Sequence, residues 1–517
     1  MFESTQRRTF GATHATRSAD ATHTTGAVGA AHAHRRRAGR ALLVRALLVR
    51  ALLVRALLVR ALLVGASLTL MTWANADGAR RAAAATPQTT ERPNLLLLVT
   101  DDQRWDALGA EGNPHIETPH LDRLAARGVR FTESFVTTSI CAINRACLLT
   151  GQYASRHGIH DFAAPLLPEQ FAASFPARLR ADGYRTGFVG KWGLGGPLPG
   201  GQYDFWRGYA GQGNYFEADD PTHLTDRLTD AALEFLDGCS PRQPFCLQVS
   251  FKAPHVQDRA PRPFQPAARY ESRYAEVVLP EPITADADFA ALPEFLQTSE
   301  GRVRWQTRFA TSEMYQQSVK DYYRLMTGVD DAVAAILGRL AARGLDEQTV
   351  VVFTSDNGFF LGEYGLAGKW LMYEESIRVP LVVVDPRLPV ERRGTTCDRV
   401  VLTIDVAPTL LELAGSAIPG AMQGQSLVPL VDGDETPWRD GFFYEHRFVH
   451  ARIPPSEGYR LGRWKYVRYL HESPPPEQLF DLESEAGERV NRVDDPQLAT
   501  VLAELRERCD RARDAAR

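Results

Sequence analysis

From Leu95 to Val99 the chain runs through five apolar side chains and then, one threonine later, stops on Asp101-Asp102. A parallel strand buried on both faces reads this way. The same unit recurs at Gly183 to Gly190, followed by Lys191; at Pro244 to Phe251, followed by His255; and at Thr349 to Thr354, followed by Asp356-Asn357-Gly358. Helical spacing fills the intervals, as in Leu121 to Arg127, ended by Gly128, and Gln317 to Arg343, ended by Gly344. Strands alternating with helices predict an α/β fold with a mainly parallel central sheet flanked by helices. Ligands of such sheets gather at the carboxyl ends of the strands, so the four polar clusters are expected to converge there. Beyond Asp405 the pattern changes to short strands and turns, at Tyr459 to Tyr469 and Gln478 to Asp481, with an amphipathic helix from Gln497 towards Arg513. A main domain over residues 93–404 and a smaller C-terminal α+β subdomain over 405–517 are expected, preceded by a linker over 77–92.

Residues 1–76 follow none of these patterns. Ala, His, Thr and Arg dominate up to Arg40, and five copies of ALLV follow, four of them ending in Arg, at positions 45, 50, 55 and 60. Arginines five residues apart advance about 140° around a helix, so the repeat offers no apolar face long enough to span a bilayer. The last stretch, Ala61 to Trp73, is uncharged, follows an Arg-rich segment and ends in Ala74-Asn75-Ala76. That is the layout of a secretory signal with a small-residue cleavage site, and it predicts an exported protein, periplasmic or secreted, with no stable membrane span after signal removal.

The same segment hides the charge of the rest. It holds eleven Arg against Glu3 and Asp20; without it the chain has 48 basic and 61 acidic side chains, a net charge of −13. Nucleic-acid binding needs a clustered basic surface, so that class of partner is excluded. The six cysteines form no disulfide framework; if Cys141 is chemically consumed, the only close pair among the other five, Cys239 and Cys246, could bridge a loop.

Two of the strand ends, Asp101-Asp102 and Asp356-Asn357, offer three carboxylates and one amide oxygen with no His or Cys among them. Oxygen-only ligands suit a hard cation, and irregular carboxylate geometry suits calcium better than magnesium. An Asp at a strand end also caps a helix or makes a turn, but two matched pairs are harder to explain in that way.

The segment Cys141-Ala142-Ile143-Asn144-Arg145-Ala146-Cys147-Leu148-Leu149-Thr150-Gly151 opens a helix with a cysteine and places Arg145 one turn further on, a good seat for a sulfate-like anion. It resembles the type I sulfatase signature, CxPSR followed by a helix ending in Thr-Gly, and Gln152-Tyr153 continues the likeness. The resemblance covers roughly residues 92–490. Asn94 to Asp102, Thr118-Pro119 with the helix after it, Gly190-Lys191-Trp192, Ala253-Pro254-His255, Ser355 to Gly358, Leu361-Gly362-Glu363, Gly368-Lys369 and Tyr373 to Ser376 all match in order. It implies an alkaline phosphatase-like fold and hydrolysis of sulfate esters. It also implies that Cys141 is oxidised to formylglycine by a formylglycine-generating enzyme during maturation. One Ca2+ would be bound by Asp101, Asp102, Asp356, Asn357 and residue 141. Arg145, Lys191, His255 and Lys369 would surround the sulfate, with His255 or Lys369 protonating the leaving alcohol. Trp192, Phe353 and Tyr373 are expected in the core or the pocket wall.

Three positions depart from the family: Ile143 stands for Pro, Asn144 for Ser, and Gly193 for a His expected to contact formylglycine, a role for which His157 or a group of the substrate is the candidate replacement. Tyr203 to Trp206, Gly211 to Tyr215 and Gly458 to Asp481 are similar to bacterial relatives of N-acetylglucosamine-6-sulfatases and heparan N-sulfatases, which implies a sulfated small molecule or glycan, with a sulfated carbohydrate ahead of aryl or choline sulfate. Two other functions fit part of the pattern. One is phosphomonoester or phosphonate-ester hydrolysis at the same site, although no His lies near the Asp pairs in sequence to hold a pair of zinc ions. The other is a non-catalytic sulfated-glycan-binding protein with an unmodified thiol at Cys141.

Overall fold

The apolar run at Leu95 forms β1 (Asn94–Asp101), and all eight of its residues are buried. In this computed structural model, which describes residues 92–282, 287–484 and 488–517, β1 lies near the middle of an eight-stranded sheet. The other strands are β2 (Val129–Phe131), β3 (Arg185–Lys191), β4 (Phe205–Tyr209), β5 (Phe245–Pro254), β6 (Thr349–Ser355), β7 (Leu381–Val384) and β8 (Thr395–Cys397), in the order β8-β2-β7-β6-β1-β5-β3-β4. β1 pairs in parallel with β5 and β6, and only β7 runs against its neighbours. The expected mainly parallel sheet is present, with helices on both faces.

Alternation along β1 builds two cores. Leu96 and Leu98 face α1 (Pro119–Ala125), α4 (Leu224–Asp237) and the 31-residue α6 (Ser312–Ala342). Leu95, Leu97 and Val99 face α2 (Cys141–Thr150), α3 (Phe175–Ala181) and α7 (Val406–Leu413). Each fully buried leucine of this strand contributes about 2 kcal/mol, so both layers are clamped to the strand that presents Asp101. The two faces also explain the cysteines. Cys239 sits in one core and Cys246 in the other, so the expected loop bridge is not formed and both thiols are free.

α7 begins just after Asp405, yet it packs on the main sheet. The smaller C-terminal sheet starts at β9 (Gly441–His446) and continues through β10 (Ser456–Leu461), β11 (Trp464–Tyr469) and β12 (Glu477–Asp481), all antiparallel neighbours. Phe443, Tyr466 and Leu479 on one face receive Leu502, Leu505 and Cys509 of α8 (Ala499–Ala516). Phe442, Tyr444, Val467 and Phe480 on the other face join Ile140, Ile143 and Cys147 of the α2 region, which buttresses the helix that presents Cys141. The repeat and signal-like segment of residues 1–76 lie outside the described residues. Among the described residues no helix is long and apolar enough to cross a membrane.

Candidate active site

Four neighbouring strands end at one edge of the sheet: β6 delivers Asp356-Asn357, β1 Asp101-Asp102, β5 His255 and β3 Lys191. Cys141 reaches the same place as the first residue of α2, whose ten residues are all buried. No side chain at Ile140 caps the first turn, so the positive end of the helix dipole is left open at Cys141. The Cys141 thiol and the carboxylates of Asp101 and Asp356 offer ligand atoms within 4.8 Å of one another, as do Asp101, Asp102 and His255. Lys369, after the short strand Ala367–Gly368, is ion-paired with Asp102 and lies 3.8 Å from Asp101 Oδ1. All nine residues picked from the sequence therefore meet at one site.

Charges there are buried and closely matched. Arg145 donates from Nε to Asp356 Oδ2 at 2.8 Å and from Nη1 to the Lys191 carbonyl at 2.8 Å, with Nη2 3.4 Å from Asp101 Oδ2. Lys191 Nζ pairs with Asp101 and donates to Gln212 Oε1 at 2.6 Å. Burial pushes the Asp101 carboxyl up, but Lys191, His255, Lys369 and Arg145 together hold it well below the usual carboxylate range. Burial wins at Asp102, which is raised despite Lys369. Asp356 is pushed up to about 6 by burial and by the charge of Asp101. Burial disfavours the charge of Lys369, but Asp102, Cys141, Asp101 and Asp356 together outweigh it and Lys369 stays charged.

His255 is buried, and desolvation drives its pKa well below the ordinary value. Its Nδ1 lies 2.7 Å from the Val256 carbonyl. A carbonyl only accepts, so the proton is on Nδ1 and the lone pair on Nε2. Nε2 is 3.6 Å from Asp102 Oδ2. One histidine thus does stand beside the acidic pairs, brought from a separate strand, where sequence proximity alone suggested none.

The donor set fits a hard cation. Asp101 Oδ1, Asp102 Oδ2 and Asn357 Oδ1 are buried oxygens with no hydrogen-bond partner among the described residues. Leaving such acceptors dry and unpaired is costly, and a divalent ion satisfies all three.

The departures from the family pattern have structural reasons. Gly193 has φ +81°, and a Cβ there would lie 2.7 Å from Arg145 Cδ; the arginine stem occupies the space that a side chain at 193 would need. His157 does not take over. Its Nε2 contacts Cys147 Sγ at 3.3 Å, its Nδ1 accepts from the Ile159 N–H, and it does not line the active-site cavity. Asn144 donates to the Asp356 carbonyl at 2.6 Å and accepts from Thr403 Oγ1 at 2.9 Å, tying α2 to the Asp356-Asn357 turn. Ile143 is packed into the core shared with the C-terminal sheet. Trp192, Phe353 and Tyr373 are core residues.

Sequence reading passed over Gln212, which holds Lys191 and lines the cavity. It lies within Gly211 to Tyr215, the segment similar to bacterial sulfatases, and the glycines on either side of it, Gly211 and Gly213, both have positive φ. The cavity itself, about 170 Å³, is lined by Cys141, Asp102, His255 and Lys369 at its polar end, with Trp370 and Phe448 on its walls.

A parallel sheet with a helix-opening cysteine beside an acidic, metal-ready turn is the arrangement of the alkaline phosphatase-like hydrolases. Residues 93–416 match the sulfatase family model, and residues 362–515 match the model described as N-sulphoglucosamine sulphohydrolase, C-terminal. The chain belongs to the sulfatase family and is a sulfate ester hydrolase. It is 29% identical to the N-acetylglucosamine-6-O-sulfatase of Bacteroides thetaiotaomicron over 82% of this chain and 87% of that protein. A solved structure in complex with its substrate D-glucosamine-2-N,6-O-disulfate is similar at a TM-score of 0.74 and 25% identity, covering 82% of this chain and 98% of the other. The phosphonate monoester hydrolase of Agrobacterium radiobacter, 24% identical with a TM-score of 0.70 over 82% of this chain and 96% of its own, shares the fold.

Proposed function

We propose that this protein is an exported, calcium-dependent sulfatase acting on a sulfated carbohydrate of the N-acetylglucosamine 6-sulfate type, with Cys141 in use as formylglycine. The observation that carries the proposal is the meeting of a helix-opening cysteine, three buried oxygens without hydrogen-bond partners among the described residues and three cations at one edge of the sheet, beside a cavity lined by Cys141, Asp102, His255 and Lys369. The sugar preference rests on the relatives named above.

Calcium would be held by Asp101, Asp102, Asp356, Asn357 and residue 141. When present, the ion supplies positive charge at the sulfate and the formylglycine hydrate supplies the attacking oxygen. The chain's own groups do the rest. Arg145, Lys191 and Lys369 are fixed by carboxylates before substrate arrives, so their charge is already aimed at the sulfate oxygens and needs no reorganisation. His255, neutral with its proton on Nδ1, has no proton on Nε2 to give; Lys369, which stays charged and lines the same cavity, is the group able to protonate the leaving alcohol. Trp370 and Phe448 offer apolar faces to a sugar ring. Residue 141 is 1% exposed, so its converting enzyme acts before the chain folds.

The test is the mass of the peptide containing residue 141, from protein made in a host with a formylglycine-generating enzyme, together with sulfate release from N-acetylglucosamine 6-sulfate. An aldehyde and turnover are expected. An intact thiol throughout would overturn the mechanism in favour of a binding protein, and faster release of phosphate or phosphonate than of sulfate would favour the phospho-ester alternative.

A further inference from the structure

One arginine in the wall of the active-site cavity is poorly matched by its neighbours. α5 (Glu300–Arg308) places Arg304 and Arg308 one turn apart, and both line the cavity that contains Cys141. Arg304 is fully engaged: Nε donates to Glu300 at 2.9 Å, Nη1 donates to Asp258 at 2.9 Å, and the guanidinium lies over the Trp370 ring. Arg452 takes the other oxygen of Glu300. Arg308 is left with a 3.6 Å approach to the same Asp258 oxygen that Arg304 already holds. Three guanidiniums thus share two carboxylates.

Arg308 is also the most buried of the three, with its side chain 6% exposed and its Nη1 without a hydrogen-bond partner among the described residues. A buried charge whose only ion pair is long and shared is costly for a protein to hold. It persists where function needs an oppositely charged ligand.

We propose that Arg308 forms a second anion subsite in the active-site cavity, taking a sulfate or carboxylate that the sugar carries at a position other than the scissile ester. A planar guanidinium suits both groups by its paired N–H donors. Burial lowers the Arg308 pKa to about 10, Arg304 adds to that fall, and Asp258 does not reverse it; an incoming anion relieves that penalty. The two guanidiniums have separate parts: Arg304, held by Glu300 and Asp258, stiffens the wall, while Arg308 selects. Only the identity of the scissile group depends on the sulfatase reading.

Binding measured by calorimetry tests this on the full-length protein with calcium, in a Cys141→Ala background that holds ligand without turning it over. Three probes separate the sources of charge: N-acetylglucosamine 6-sulfate, glucosamine 2-N,6-O-disulfate, and N-acetylglucosamine 6-sulfate linked to a glucuronate. One of the two doubly charged probes is expected to bind at least about tenfold more tightly than the singly charged one, and which of them does so identifies the group. Adding Arg308→Met should bring that ratio to within about twofold of one, and Arg308→Lys should retain part of it. A purely structural role would weaken all three probes in parallel and leave the ratio intact. That result, or no preference, or no binding of either doubly charged probe, overturns the subsite. Failure of the sulfatase reading would be seen separately, as absent turnover of N-acetylglucosamine 6-sulfate by the unsubstituted enzyme.

Discussion

At Gly193 a single missing side chain decides where Arg145 runs. The residue combines φ +81° with a Cβ position 2.7 Å from Arg145 Cδ, so Gly193→Ala adds backbone strain and displaces the Arg145 stem together. Strain of this kind costs about 1–3 kcal/mol, and a displacement of about 1 Å in a positioned charge costs on the order of 100-fold in rate. We expect this variant to fold with a lowered melting temperature and to lose at least tenfold in kcat/KM on a sulfate ester; full activity would show that the arginine path tolerates a side chain. The unpartnered oxygens of Asp101, Asp102 and Asn357 yield a second prediction. Calcium at 100 times its Kd stabilises a protein that binds it only when folded by about 2.7 kcal/mol. The melting temperature should therefore rise with added calcium and fall with a chelator, and Asp356→Asn should blunt both shifts. A melting curve indifferent to calcium in the unsubstituted protein would remove the metal from the site.

Elements were legible wherever one strand or helix recorded its own environment. β1 and β6 announce themselves as apolar runs because both of their faces are covered, β5 is buried throughout although Gln248, Ser250 and Lys252 interrupt its apolar residues, and each strand is followed by polar residues of the candidate site. What stayed hidden is what one element does for another. α1 was expected from Thr118-Pro119 and its apolar spacing, with Thr118 at its start, but Thr118 makes no cap bond. The cap comes instead from Asp330 on α6, which accepts from the His120 N–H at 3.0 Å and the Leu121 N–H at 2.7 Å. No local pattern reveals a cap more than two hundred residues away. Its removal in Asp330→Ala should cost about 1–2 kcal/mol in urea unfolding and speed amide exchange at Leu121; unchanged exchange there would mean that α1 is held by packing alone. Arg308 and Gln212 escaped notice for the same reason, since an arginine at a helix end and a glutamine between glycines look like solvated surface until the cavity is assembled.

Across the whole molecule the C-terminal sheet is bound to the α2 region through the core that holds Ile140 and Ile143, so whatever loosens this junction loosens the cysteine helix. His446, at the end of β9, is completely buried with neither ring nitrogen hydrogen-bonded among the described residues. Burial lowers its pKa to about 3. It is neutral in the folded protein and, once the pH is below about 6.5, protonated in the unfolded chain. The unfolded state then binds one more proton, so stability is fully present above about pH 6.5 and is lost as pH falls towards 3, at about 1.4 kcal/mol per pH unit. His157 and His223, lowered by burial to about 3 and 4, act in the same direction. Replacing His446 by Leu removes one titrating group without opening a large cavity. The slope of unfolding free energy against pH between about 6 and 4 should therefore flatten by about 1.4 kcal/mol per unit, as read from urea titrations at a series of pH values. An unaltered slope would mean that His446 finds a compensating partner on protonation, and acid sensitivity would then have to come from the main sheet instead of the junction that steadies Cys141.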